Sequence, residues 1–185
     1  MGVHEAYHLD RRNRVVHWLA IPIELAAVVK LLSLVRLGID LGPLGTLDLS
    51  LIVIAMVGAI YVAADVLAGV LMTAALVGLR ALVLPFGTGN RGLDAVLAVL
   101  AFVGPFVFQT RVGHGVFELG VDDTEKNIAE LRRTKNPIPI LLVFYYHLVE
   151  LLFAVGYRPA LRIAMERHRE EELARMRIGQ DPRRT

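Results

Sequence analysis

Five apolar stretches dominate this chain, lying approximately over Val15–Leu37, Leu47–Asp65, Val66–Leu84, Leu93–Gln109 and Ile138–Tyr157. Each approaches the roughly 20 residues that a helix needs to cross the hydrocarbon core of a bilayer. With 55% hydrophobic residues and a mean hydropathy of +0.54, the chain is too apolar for an ordinary soluble domain. Its 21% charged residues are clustered rather than dispersed. The expected fold is therefore all-α: a polytopic helical membrane protein with about four transmembrane helices, a re-entrant or interfacial fifth segment and a basic amphipathic C-terminal helix. A length of 185 residues allows one membrane-embedded domain over 1–185, with an N-terminal segment at 1–14 and a basic tail at 158–185.

The connections are short. Gly42-Pro43 and Pro85–Asn90 are rich in turn formers. Asp65 marks a very tight link between the second and third stretches, with Gly69 helping the turn. Glu24, Lys30 and Arg36 lie in the first stretch, which must therefore face protein or an interface over part of its length. Lys and Arg are frequent before the first stretch (Arg11, Arg12, Arg14) and in the Thr110–Asn136 loop, absent from Gly38–Thr46, and reduced to Arg91 in Pro85–Gly92. Four spans then place the N-terminus and the Thr110–Asn136 loop together on the cytoplasmic side. A crossing fifth stretch would put the basic tail outside. Ile138–Tyr157 is accordingly read as a re-entrant or interfacial hairpin, started by Asn136-Pro137-Ile138-Pro139. Arg158–Arg177 reads as an amphipathic helix with Leu161, Ala164, Met165, His168 and Leu173 near one side, suited to the headgroup layer; a solvated helix or a contact within a homo-oligomer is the alternative. No cleavable signal is recognised at the N-terminus.

The chain has no cysteine, so disulfides, thiolate nucleophiles and Cys-ligated metals are excluded. Any metal must be held by His and carboxylate, a donor set that suits iron, manganese or zinc. A formal charge of +2 does not argue for nucleic acid, whereas arginine-rich ends around an apolar middle fit anionic membrane lipids.

Two motifs carry the candidate chemistry. The first is Tyr7-His8-x4-Asn13-x3-His17-x4-Pro22; the second is Gln109-x3-Gly113-His114-Gly115-Val116-Phe117-Glu118. Asn13 and His17 are four apart, so on a helix Asn13 can orient the imidazole. His8 precedes that helix and can fold back onto it. Pro22 would bend the helix or expose a carbonyl. His114 stands between two glycines, and Glu118 follows at i+4, able to donate to a metal or to fix the His114 tautomer. The topology brings His8, His17 and His114 to one membrane depth. Taken singly each histidine reads better as a hydrogen-bonded structural residue, but jointly they form a candidate ligand set. Asp65, His147 and Glu150 are ionisable groups in apolar sequence, which normally face a partner or cavity. Glu150 can pair with His147, and either can reach the site if the last stretch is re-entrant. His4 and His168 read as exposed.

These motifs resemble those of the Mpo1-like family of membrane proteins, also called YGL010w-like or DUF962. The matches are Tyr7-His8, Asn13, His17 and Pro22 in register, and Val112–Glu118; weaker similarity runs through Tyr61–Val70 and Glu150–Pro159. A characterised member is an iron(II)-dependent dioxygenase of the endoplasmic reticulum that shortens 2-hydroxy fatty acids by one carbon. The resemblance implies the same activity here, with His8, His17 and His114 as iron ligands; Asn13, Tyr7 and Glu118, in the same two motifs, are the candidate catalytic residues. Arg11, Arg12 or Arg111 would offset the substrate carboxylate, with Glu150 also near the substrate. Partners would be the 2-hydroxy fatty acid, dioxygen and membrane lipids. Localisation would be a bacterial inner membrane or the endoplasmic reticulum, with the site facing the cytoplasm. Leu119–Asn136 departs from the family pattern, being acidic, then basic, and longer, so chain-length preference can differ. The competing readings are a non-catalytic lipid-binding scaffold, a bis-histidine haem protein and a zinc hydrolase with Glu118 or Glu150 as base.

Overall fold

In the computed structural model, which describes residues 11–42, 45–114, 116, 145 and 148–179, most of the chain is helical. Helix α1 runs from Arg11 to Ser33 and continues through Pro22, which has no N–H to offer the Trp18 carbonyl one turn back. It closes in tighter turns, with Leu34 and Val35 donating to the carbonyls of Leu31 and Leu32, both at 3.2 Å. The Ser33 hydroxyl donates to the Lys30 carbonyl at 2.7 Å, satisfying one of the last acceptors.

The first apolar stretch therefore ends earlier than expected. Strand β1, Arg36–Asp40, pairs antiparallel with β2, Thr46–Asp48, matching Arg36 to Asp48 and Asp40 to Thr46. Leu37 belongs to this ribbon and not to a helix. Asp40 Oδ1 accepts from the Gly42 N–H at 2.9 Å, and Gly42 takes a positive φ of 62°, the combination that turns the chain between the strands. The fold is thus helical with a small exposed ribbon, and not wholly α.

Helix α2, Leu49–Ala64, and helix α3, Val66–Val83, form a hairpin about Asp65. That one residue ends α2, its N–H donating to the Tyr61 carbonyl, and caps α3, its carboxylate accepting from Ala68 N at 3.1 Å. The expected link at Asp65 is present. The two helices meet along small residues. A Cβ on Gly58 would stand 2.6 Å from Thr73 Oγ1, and one on Gly69 would fall on the backbone of Tyr61 and Val62. Close backbone approach of this kind is the usual packing device of helices in lipid, where apolar surface gains nothing by leaving the solvent.

At the open end of the hairpin a buried polar cluster ties three elements together. Asp48 caps α2 by accepting from Leu51 N at 3.1 Å. It also accepts from Ser50 Oγ at 2.5 Å and from Arg80 Nη2 at 2.6 Å, while Arg80 Nε donates to Ser50 Oγ at 3.0 Å. Arg80, on α3, is thereby satisfied within an otherwise apolar helix.

Helix α4, Arg91–Phe108, starts at an Asn90 cap whose side chain accepts from Gly92 N and Leu93 N at 2.9 and 3.2 Å. It contains Pro105 and widens into a π-helical turn over Gln109–His114. Residues 148–154 are helical and are followed, after a turn containing Gly156, by helix α5, Pro159–Gly179.

Among the described residues, three helices are long and apolar enough to cross a membrane: Arg11–Ser33, Val66–Val83 and Arg91–Gly113. The 16-residue α2 is shorter, about 24 Å at 1.5 Å per residue. The chain divides into two compact units, one of His17–Gln109 and the other of Met1–Val16 with Thr110–Thr185.

Two predictions follow from the packing. Gly69→Ala drives a methyl group into the α2 backbone and lowers stability by about 1–3 kcal/mol, whereas Gly78→Ala, which meets open space, leaves the melting temperature unchanged or raises it. Thermal unfolding in detergent separates the two. Arg80→Met leaves the buried Asp48 carboxylate without its counter-charge and costs about 3–5 kcal/mol; adding Asp48→Asn, which keeps a cap but removes the charge, restores most of the loss.

Candidate metal centre

Helix α1 is built inside out relative to a helix in water. Asn13, His17, Ala20, Glu24 and Ala27 recur every three or four residues and are all buried. Val15 and Leu19, by contrast, are 51% and 66% exposed. Polar groups turned inward and apolar ones outward are what hydrocarbon surroundings require. Asn13 is fully buried, and His17 has both ring nitrogens out of solvent contact, one helical turn further on. Glu24 lies two turns beyond His17, with an Oε1 that finds no hydrogen-bond partner among the described residues.

The second motif meets α1 through its glycine. A Cβ on Gly113 would collide with Asn13 Oδ1 and stand 3.5 Å from Val16 Cγ1. A side chain at position 113 would hold the π turn away from α1, and glycine removes that obstacle. Asn13 and Gly113, members of the two separate motifs, are therefore neighbours within one compact unit. The backbone of His114 belongs to the same π turn; its side chain lies outside the described residues. Such wide turns recur at functional sites because they redirect side chains that regular winding would misplace.

The remaining candidates fall as follows. Tyr7, His8, Glu118 and His147 lie outside the described residues. Arg11, Arg12 and Arg111 are exposed. Glu150 approaches Arg14 at 3.8 Å, so helical residues 148–154 lie beside the first turn of α1, with Val149 and Phe153 buried. Asp65 serves as a cap. His168 is exposed and lies 3.6 Å from Glu171 on α5. Of that helix's expected apolar side, Met165 is buried while Leu161 and Ala164 are exposed, and the Leu173 side chain lies outside the described residues. Among the described residues no group of three or more His, Asp and Glu side chains is gathered for a metal. His8 and the imidazole of His114 lie outside the described residues.

Sequence reasoning passed over Arg80 and Asp94. Asp94, on the first turn of α4, accepts from Thr88 N and Oγ1 at 2.7 and 2.8 Å and feels the charge of Lys30. Both were visible as lone charges in apolar stretches, the same signal that singled out Glu24 and Lys30. Gln109, the first residue of the π turn, buries an Oε1 that accepts no hydrogen bond among the described residues.

Compared with protein-family models, curated proteins and solved structures, the chain finds no match. The resemblance drawn above rests on the motif residues alone.

Gly113→Ala tests the junction between the motifs. Displacing Asn13 by a methyl group costs about 1–3 kcal/mol, and the loss appears as a lower detergent melting temperature. Gly104→Ala, in open space on α4, leaves it unchanged.

Proposed function

We propose that this chain is an integral membrane dioxygenase that uses iron(II) to shorten 2-hydroxy fatty acids by one carbon. The observation that supports the reading is the contact between Asn13 and Gly113, which joins two motifs almost a hundred residues apart at the turn preceding His17 and the residue preceding His114. In this reading His8, His17 and His114 hold the metal, and an all-nitrogen, cysteine-free set suits iron(II), with zinc the chemical competitor. Iron(II) held there would leave positions for a chelating 2-hydroxy carboxylate and for dioxygen. Conversion of 2-hydroxypalmitate and dioxygen to pentadecanoate, carbon dioxide and water balances without any external reductant.

The protein's own groups have distinct tasks. Asn13, buried one turn before His17, orients that imidazole. Glu118 fixes the tautomer of His114, and Tyr7 lies next to His8 in sequence. Arg11 and Arg111 offset the substrate carboxylate at the surface, and Glu150, paired with Arg14, keeps the 148–154 helix against that end of α1. Four spans, including α2, put the site on the cytoplasmic side of a bacterial inner membrane or of the endoplasmic reticulum. Of the re-entrant or interfacial segment expected over 138–157, residues 138–144, 146 and 147 lie outside the described residues; α5 lies in the headgroup layer.

Anaerobically purified protein supplied with iron(II), 2-hydroxypalmitate and air should yield pentadecanoate. His17→Ala should lose stoichiometric iron, and Asn13→Ala should lower turnover about ten- to a hundredfold. Unchanged substrate with iron demonstrably bound overturns the activity. A Soret band identifies a haem protein instead, stoichiometric zinc a hydrolase, and no metal in wild type a scaffold.

A further inference from the structure

Lys30 lies roughly 20 Å from His17 along α1, at 1.5 Å per residue, and two clefts meet around it. One, of about 600 Å³, gathers Lys30, Arg36, Arg80 and Arg91 around Asp48 and Asp94. The other, of about 540 Å³, is an apolar groove between α1 and α4 whose walls include Ile23, Ala27, Leu97, Ala98 and Ala101. Lys30, Pro85, Gly87 and Asp94 line both, so the groove runs into the polar cleft. Gly87 stands at the junction: a Cβ there would lie 3.2 Å from Asp94 Oδ2 and 3.5 Å from Lys30 Nζ.

The charges in the polar cleft do not cancel. Arg80 is engaged by Asp48 and Ser50, and Lys30 faces Asp94. Arg36 and Arg91, at the first positions of β1 and α4, are exposed, and among the described residues neither joins an ion pair. Two guanidinium groups thus remain for an anion, and guanidinium matches phosphate through paired N–H donors. The groove beside them is floored by alanines and open on its flanks, with Ile23 and Leu97 each 48% exposed. Those flanks belong to helices long enough to cross a membrane, so the groove is reached from hydrocarbon and its mouth from the headgroup layer. An occupant must be anionic at one end and apolar along the other.

We propose that this end of the protein binds one anionic phospholipid, its phosphate on Arg36 and Arg91 and one acyl chain in the groove between α1 and α4. Among the described residues no histidine lines either cleft, and the proposal does not depend on what the histidines bind.

Native mass spectrometry of the full-length protein in neutral detergent tests this, using phosphatidylglycerol and phosphatidylcholine with the same acyl chains. The wild type should retain one phosphatidylglycerol under conditions that strip phosphatidylcholine. Arg36→Gln and Arg91→Gln should each weaken retention about fivefold, as expected for one cation beside an anionic headgroup, and the pair should weaken it further. Ala101→Trp, which fills the groove and touches no charge, should also reduce retention, and decides the matter if the double arginine variant does not fold. Excess inorganic phosphate should leave the lipid bound. Equal retention of the two lipids, undiminished phosphatidylglycerol in the folded double variant or in Ala101→Trp, or displacement by phosphate overturns the proposal.

Discussion

A polar side chain on a helix apolar enough to cross hydrocarbon must be turned toward protein, and this requirement matches the rotation of each long helix about its own axis. In α1 it turns Asn13, His17 and Glu24 inward and leaves Leu19 outside. In α3 it directs Arg80 onto Asp48 and Ser50. In α4 it aims Asp94 at the Thr88 backbone and hydroxyl. A soluble bundle is oriented by which of its faces is apolar. Here the apolar residues are nearly everywhere, and a handful of polar ones do the orienting.

Once the helices are oriented, small residues determine how near they come. Gly69 lets α3 rest on the Tyr61–Val62 backbone, and Thr73 fits the hollow left by Gly58 while donating its hydroxyl proton back to the Gly69 carbonyl at 2.8 Å. Gly113 does the same for the turn that carries His114, which rests on Asn13. Packing and chemistry therefore draw on one device. The glycine that permits close approach precedes the histidine whose placement depends on it.

Much of this was legible from residue order. The link at Asp65 shows as a carboxylate between two apolar runs, and one side chain does cap the following helix. The inward placement of Glu24 and Lys30 follows from the expense of charge in lipid. Other features were hidden by the same apolar richness. Leu37 and Ile39 extend the first run, yet they alternate with Arg36, Gly38 and Asp40, the period of a strand, and the helix stops at Ser33. Arg80 went unread because its partners, Ser50 and Asp48, lie 30 and 32 residues earlier in the chain. At the candidate site, counting spans put the two motifs toward one face, but the close approach of Asn13 and Gly113 was not legible in residue order. Nor was the wide turn beneath it, since π winding has no residue pattern of its own and here follows a proline in the preceding turn.

That turn has a geometric consequence for the second motif. A π turn accommodates one more residue than regular winding, which offsets everything after it by about 100° around the axis. The azimuth of residue 114 relative to α4 is thus set by the winding within Gln109–His114. Shortening or lengthening that short stretch by a single codon would leave the long apolar portion of α4 intact while turning residue 114 about the helix axis.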